Sequence, residues 1–205
     1  MLKEMRGLRV LLPMSLPLLA LGLVACGQIG ETAVEEVKNA MPVVHQRLVV
    51  SVEEQMLVTF DRDQPKRLYP VSTSRFGVGN KRGSYKTPLG RMEVVEIVGK
   101  GLPAGAKLKA RMPTGEVVPV DAPGRDPIVT RVLRLRWMES QNSWALDRAI
   151  YIHGTPEEAK LKTPASYGCV RMASSDIITL CKWVKLGARV DIVRGKLPSP
   201  DQLPP

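Results

Sequence analysis

Short apolar segments of period two, separated by glycine and proline, constrain the fold of this chain more than any other feature. Residues 130–138, TRVLRLRWM, alternate apolar side chains with Arg131, Arg134 and Arg136, the period of a half-buried strand. Residues 47–60, RLVVSVEEQMLVTF, hold two apolar runs around a short polar break, which predicts a hairpin. The segments RLYPVSTS, GRMEVVEIVG and RVDIV continue the pattern, so we expect a mainly β fold.

One helix is predicted late in the chain. Ser174 or Ser175 can cap its start, and Ile177, Cys181 and Val184 follow at helical spacing. Gly187 stands where the glycine that ends a helix is expected. On this apolar stripe we expect Cys181 to be a small buried residue.

The first residues have the pattern of an export signal. Three basic residues, Lys3, Arg6 and Arg9, precede a short apolar run that ends at Ala25, which predicts a signal peptide over residues 1–25. The letters LVAC at 23–26 resemble the lipobox of bacterial lipoproteins, which implies a lipid anchor on Cys26. An ordinary secretory leader that contains a cysteine is the alternative. The lipobox implies a protein anchored in the cell envelope and facing the periplasm, and Gly27 after the cysteine favours the outer membrane.

The remaining chain divides by composition. Residues 26–46 read as a tether, 47–194 as one folded domain long enough for a core, and 195–205 as a proline-rich tail. The net charge of +10 suits an acidic polymer or an anionic membrane face, or else a solvated basic surface. The basic residues are scattered, so nucleic acid is not expected. Two distant histidines and no carboxylate cluster predict neither a metal nor a cofactor.

A histidine and a cysteine carry the candidate chemistry. His45 reads as a surface residue, which leaves His153, on a short strand RAIYIHG that turns Tyr151 and His153 to one face. Gly168 permits a turn that presents Cys169. An imidazole that takes the thiol proton lowers the thiol pKa from about 8.5 to as low as about 3.5 and makes a nucleophile. A core thiol and an unrelated imidazole remain the alternative, since spacing alone does not decide.

The letters IYIHGT and PASYGCVRM resemble the signature of the L,D-transpeptidase (YkuD-like) catalytic domain. The segments VVSVEEQMLVTF, YPVSTSRFGVGN and YKTPLGRMEV resemble the same family in the same order, so the resemblance covers about residues 48 to 193. It implies a β-sandwich with a helix after the catalytic cysteine.

The resemblance also implies roles for the residues of the motif. Cys169 is the nucleophile, His153 is the base, and the main-chain carbonyl of Gly154 orients the imidazole. Ser166 hydrogen-bonds within the turn. The N–H groups of Tyr167, Gly168 and Cys169 are the expected oxyanion donors.

Three positions leave a role open. Arg171 either holds the turn or meets a substrate carboxylate. Tyr151, with Trp144, could line a cleft. Tyr167 stands where many members have histidine, so a role for a second histidine is absent, and His153 keeps the main one.

The function implied is acyl exchange on peptidoglycan. Cys169 would attack a tetrapeptide stem, and an amine of a second stem, a protein or water would resolve the thioester. Carbapenem-type inhibitors acylate this family's cysteine. The alternatives are a carboxypeptidase or amide hydrolase that uses the same cysteine, and an inactive lipoprotein that only binds peptidoglycan. In papain-like and NlpC-type peptidases the cysteine precedes its histidine, whereas here it follows.

Overall fold

A computed structural model describes residues 43–124, 126–138 and 149–198 of the 205-residue chain. Ten strands, one α-helix and one short 3-10 helix make up this part, so the predicted mainly β class is confirmed. The strands are β1 (Gln46–Ser51), β2 (Met56–Asp61), β3 (Gln64–Ser72), β4 (Gly90–Val98), β5 (Ala106–Lys109), β6 (Met112–Val117), β7 (Ile128–Trp137), β8 (Tyr151–Gly154), β9 (Val170–Met172) and β10 (Arg189–Val193). The 3-10 helix is Glu158–Lys160, and α1 is Ser174–Trp183.

The strands form one sheet that closes on itself. The order runs β4-β10-β1-β2-β3-β9-β8-β7, and β4 pairs with both β10 and β7. The hairpin of β5 and β6 extends from β7 beside β4. The expected sandwich is therefore a continuous ring of strands rather than two separately hydrogen-bonded sheets.

The main hydrophobic core lies inside this ring and under α1. Leu48 and Val50 come from β1, Leu133 and Leu135 from β7, and further members from the strands between them. The helix adds Ile177 and Leu180, both fully buried. The part of the chain after residue 42 is one compact unit that contains this core. Within the described residues, no helix has the length and apolar character needed to cross a membrane.

Several segments form as the sequence predicts. β1 and β2 are the expected hairpin, with Ser51 paired to Met56 across the turn. The arginine-rich segment is β7, RVDIV is β10, and His45 is exposed. Ile150 and Ile152 belong to the core, as the predicted strand facing requires.

The predicted ends of α1 are wrong. Ala173 is the N-cap residue and makes no side-chain cap. The Ser174 N–H instead donates to the Glu158 carboxylate at 2.8 Å, and the Ser174 hydroxyl bonds the Thr130 hydroxyl at 2.7 Å. A distant acidic residue therefore does what a local serine was expected to do.

The other end of α1 also differs from the prediction. Val184 is already the C-cap, so it lies outside the helix. Gly187, with φ of +82°, serves the turn into β10, where its N–H donates to the Val94 carbonyl at 2.8 Å. Its conformational freedom is used for chain reversal rather than for ending the helix.

Candidate active site

The candidate residues lie on β8 and β9, which are adjacent and parallel. His153 pairs with Arg171, and Ile152 pairs with Val170. Ile152 and Val170 face the core, so the period of two turns His153 and Arg171 to the other side of the sheet. Cys169 precedes β9 and lies two positions before Arg171. Standard strand spacings then give a Cα separation of about 8 Å between Cys169 and His153.

His153 is held rigidly. Its side chain is only 4% exposed, and its Nδ1 lies 2.8 Å from the Gly154 carbonyl oxygen. A carbonyl only accepts, so this bond requires the proton on Nδ1 and leaves Nε2 as the acceptor. Gly154 must be a glycine because a Cβ there would meet the Val129 carbonyl oxygen at 2.6 Å.

The electrostatics keep the His153 imidazole neutral. Burial lowers its pKa below the usual value and outweighs the Gly154 hydrogen bond, which raises it. The Asp126 charge also raises the pKa, and the Arg171 charge lowers it. A neutral imidazole with a free acceptor nitrogen is the form that can take a proton.

The turn before β9 is held by its own hydrogen bonds. Gly168 has φ of +122°, a conformation that favours glycine. The Ser166 hydroxyl donates to the Cys169 carbonyl at 2.6 Å and accepts from the Gly168 N–H at 3.2 Å. Cys169 is half-buried and not in a disulfide, and its Sγ lies 3.6 Å from the Ala149 carbonyl oxygen.

The connection between β3 and β4 supports the turn from outside. The buried Thr87 hydroxyl donates to the Gly168 carbonyl at 3.0 Å and accepts from the Ser74 N–H at 2.9 Å. Ser74 also forms an isolated β-bridge with Ser166. The segment TPLG thus contributes a direct contact to the cysteine turn through Thr87.

Arg171 lies behind the turn and is 1% exposed. Its Nε lies 3.0 Å from the Asp126 carboxylate and its Nη1 lies 2.6 Å from the Glu157 carboxylate. Its Nη2 donates to the Ala165 carbonyl at 2.5 Å. All three nitrogens have protein partners, so of the two roles left open by the sequence, these contacts favour holding the turn over meeting a substrate carboxylate.

The partners of Arg171 were missed by sequence reasoning. Asp126 comes from the loop between β6 and β7, far from the motif in the chain. The Thr155 hydroxyl donates to Asp126, and the Glu157 N–H donates to the same hydroxyl at 3.0 Å. Neither Asp126 nor Glu157 lies in a segment with a regular apolar pattern, so the sequence gives no sign that they are close to the site. The only available signal was that a buried arginine needs carboxylate partners.

Tyr167 lies at the exposed rim of the turn. Its ring centroid is 5.6 Å from that of Phe76 and 6.1 Å from that of Tyr85, and the Arg75 guanidinium lies 4.6 Å above it. Tyr167, at the position where many relatives have histidine, is therefore packed among aromatic rings.

The remaining predicted residues lie apart from this cluster or outside the described part. Tyr151 is half-buried, and its phenol raises the pKa of the Arg111 guanidinium. Trp137 and Cys181 are partly buried against the core, and burial raises the pKa of the Cys181 thiol to about 12. Trp144 and Cys26 lie outside the described residues. The described residues contain no group of three acidic, histidine or cysteine side chains that could hold a metal ion.

Comparisons with known proteins agree with the family that the sequence motifs resemble. The family model for the L,D-transpeptidase catalytic domain, YkuD, matches residues 45–192. No curated protein matches the chain. Similar solved structures include an L,D-transpeptidase from Mycobacterium smegmatis, at 12% identity and TM-score 0.47, covering 73% of this chain and 58% of that one.

Two further structures extend the comparison. L,D-transpeptidase 3 from Mycobacterium tuberculosis, solved with a faropenem-derived adduct, shares 17% identity with TM-score 0.48 and covers 72% of this chain and 60% of that one. Bdellovibrio bacteriovorus Bd1075 shares 17% identity with TM-score 0.50 and covers 74% of this chain and 48% of that one. The chain spans less than two thirds of the length of these three structures.

The described residues thus form a closed β domain that carries a cysteine turn beside a neutral imidazole oriented by the main chain, the arrangement of a cysteine–histidine site. The chain belongs to the L,D-transpeptidase catalytic domain family, whose model covers most of its length.

Proposed function

We propose that this protein is a peptidoglycan L,D-transpeptidase that works through an acyl-enzyme on Cys169. The observation that carries the proposal is the state of His153: a buried imidazole, with Nδ1 committed to the Gly154 carbonyl and Nε2 left as a base, on the strand beside the cysteine turn. An inactive binding protein has no need of this arrangement.

The first half-reaction forms a thioester. His153 Nε2 takes the Cys169 proton, and the thiolate attacks the carbonyl carbon at the L-centre of the diamino acid in a tetrapeptide stem. Main-chain N–H groups of the turn stabilise the oxyanion. The Gly168 N–H would exchange its Ser166 partner for the substrate oxygen. The C–N bond to the terminal D-alanine then breaks, and the proton on Nε2 passes to the departing amine.

The second half-reaction restores the thiol. A side-chain amine of a second stem attacks the thioester, His153 removes the proton from the attacking nitrogen, and the C–S bond breaks. The product is a 3→3 cross-link, and the returning proton regenerates the thiol. A protein amine would give attachment to the wall, and water would give carboxypeptidase activity at the same site.

Asp126, Arg171 and Glu157 support the charge changes of this cycle. Arg171 pairs with both carboxylates, and Lys160 also pairs with Glu157, so the charges of this group balance. Because the Asp126 charge raises the His153 pKa, it favours the imidazolium that exists while the thiolate attacks. We assign Asp126 as a positioning residue that acts through Arg171 and through its charge on His153.

The proposed location is the cell envelope, with a lipid on Cys26 and the domain facing the periplasm. The motif Leu23-Val24-Ala25-Cys26 supports this proposal. Cys26→Ala should abolish fatty-acid labelling and move the protein out of the membrane fraction. Wild-type protein that takes up no label and is recovered as a soluble protein would contradict the anchor without affecting the catalytic proposal.

The catalytic proposal is tested with purified protein and tetrapeptide stems, reading both products by mass spectrometry. Cys169→Ala should lose D-alanine release and cross-linking, whereas the matched variant Cys181→Ala should keep both. His153→Ala should lower the rate by about 10² to 10⁴, and Tyr167→Ala should do far less. A carbapenem should add to wild type and to Cys181→Ala, and not to Cys169→Ala.

Two results would refute the enzyme. One is cross-linking retained by Cys169→Ala. The other is wild-type protein that binds peptidoglycan and accepts neither stem nor carbapenem, which would establish the binding lipoprotein instead.

A further inference from the structure

A second buried guanidinium, that of Arg131, lies away from the cysteine turn and is 8% exposed. Its Nη1 donates to the Leu102 carbonyl at 2.9 Å and to the Thr130 carbonyl at 2.6 Å. No carboxylate of the described residues lies within ion-pair distance of it. Neutral carbonyls satisfy one nitrogen and leave the positive charge uncompensated.

Arg131 lines a cleft of about 520 Å³ between α1, the end of β4 and the turn that follows β4. Two exposed lysines, Lys100 and Lys182, share this cleft. The rest of the lining is apolar or small: Ile97, Gly101, Ile178 and Cys181. The cleft thus has three positive charges, no acidic residue in its lining and an apolar surface.

A buried charge is costly unless it is paired. The cleft therefore matches a ligand that has both an anionic group and a carbon chain: the three cations would bind the anionic group, and the apolar surface would contact the chain. A simple inorganic anion would use only the cations.

The surroundings indicate where such an amphiphile comes from. A second cleft on α1 shares Lys182 and adds Lys66, Arg67, Tyr69 and Trp183, a combination of basic and aromatic residues suited to a membrane interface. The start of the folded chain also lies at this end of α1. The Gln46 side chain donates to the Trp183 carbonyl at 2.7 Å and accepts from the Lys185 N–H at 2.8 Å.

We propose that this basic face, defined by Arg131, Lys100 and Lys182 with the neighbouring Lys66 and Arg67, binds anionic phospholipid, with the phosphate at Arg131 and the apolar part along Ile97 and Ile178. The face would dock the domain on the bilayer that the preceding segment reaches. Phospholipid binding here does not depend on Cys169 or His153.

The experiment measures co-sedimentation of the chain from residue 43 onward with phosphatidylglycerol vesicles and with phosphatidylcholine vesicles. The variant is Lys100→Gln/Lys182→Gln, and the matched control is Lys162→Gln/Lys196→Gln, which removes two exposed lysines elsewhere. We expect wild type to bind only the anionic vesicles. The variant should bind about 30-fold more weakly, from the usual contribution of a basic residue near an anionic surface, and the control should bind like wild type.

Arg131→Lys gives a second measurement, because it keeps the charge but loses the forked donor, and it should weaken vesicle binding while the protein stays folded by circular dichroism. Turnover of soluble stems should be unchanged in Lys100→Gln/Lys182→Gln, and Cys169→Ala should bind vesicles fully. Failure of catalysis and failure of lipid binding are therefore separate results.

Three outcomes overturn the inference. Equal loss in the variant and the control would mean a diffuse electrostatic effect. Saturable binding of glycerol phosphate or inorganic phosphate, without vesicle binding, would mean an anion site that does not take lipid. Absence of any difference between the two vesicle types would remove the charge-based recognition.

Discussion

The two buried arginines of this domain have opposite environments. Arg171 lies behind the cysteine turn with Asp126, Glu157 and a main-chain carbonyl on its three nitrogens. Arg131 lies beside α1 and, among the described residues, contacts only carbonyl oxygens. A guanidinium that is paired with carboxylates holds the segments that carry them in place. A guanidinium without a carboxylate partner can still bind an anion from outside the chain.

The difference therefore separates support from recognition. The positive charge of Arg171 is balanced by carboxylates of the same domain, and these contacts hold the cysteine turn in place. Around Arg131, the folded state tolerates a buried charge without a carboxylate partner among the described residues, and the phospholipid proposed above would supply the missing negative charge.

The largest effect should come from removing the two guanidinium groups in turn. Arg171→Gln leaves the Asp126 carboxylate without its guanidinium partner and leaves Glu157 with only Lys160 as counter-charge. It should cost about 3–5 kcal/mol in the free energy of unfolding. Arg131→Gln removes an unpaired charge together with its carbonyl bonds and should cost about 1 kcal/mol. Urea unfolding measures both. Equal losses in the free energy of unfolding would contradict the proposed difference between the two arginines.

Acid should weaken the region around Arg171 first, because His153 is buried there in its neutral form. Its folded-state pKa lies below the unfolded value, so its contribution is present above about pH 6.5 and is lost as the pH falls below it. We expect the free energy of unfolding, measured by urea unfolding across pH, to fall as the pH drops below about 6.5. His153→Gln should flatten this dependence, and an unchanged slope would assign the loss to other groups.

The charge of Asp126 can be separated from its loop. Asp126→Asn should slow carbapenem acylation of Cys169, by less than the factor of about 10² to 10⁴ expected for losing the base itself. Since Asp126 raises the His153 pKa, the acid limb of the rate profile should move to lower pH. Asp121→Asn, on the same loop, removes a carboxylate that accepts from the Ala159 N–H and does not pair with Arg171. That control should shift neither the rate nor the profile, and a slower Asp126→Asn with an unmoved limb would mean a purely structural role.

The smallest effect concerns Cys181, in the cleft beside Arg131. Cys181→Ala should cost about 1 kcal/mol, the scale of a small truncation in a packed site, and should leave stem turnover intact. Thermal melting and turnover measure the two sides. Lost turnover with unchanged melting would place Cys181 in the chemistry. Activity that requires a reductant would indicate a Cys169–Cys181 disulfide, which the structure does not contain.

The sequence predicts the strands that are mostly buried, since burial requires the apolar residues on which such predictions depend. β1, β2, β7 and β10 are of this kind. β6 escapes prediction because every one of its residues is exposed, and β9 because it has only three residues. Hydrogen bonds to neighbouring strands, rather than patterned burial, define these two.

The candidate site divides in the same way. Five of its residues lie within one stretch of chain, where the resemblance to the family, rather than spacing alone, predicts that they meet: Cys169, His153, Gly154, Ser166 and Gly168. Asp126 and Thr87 reach the site from distant loops and turns, and their partners become apparent only when the topology brings those segments together. The capping of α1 by Glu158 instead of Ser174 or Ser175 has the same cause.

The closure of the ring has a consequence for how the chain folds. β10, the last strand, lies between β1 and β4, and the Arg47–Asp191 ion pair joins positions 144 residues apart. Contacts so distant in sequence form slowly, because a long loop must close before they stabilise anything. Until residues 189–193 arrive, β1 and β4 each present an unpaired edge that can associate with other chains. Synthesis that stops short of the last strand therefore leaves a molecule with a nearly complete core and two adhesive edges, a substrate for proteases and chaperones rather than a smaller working domain.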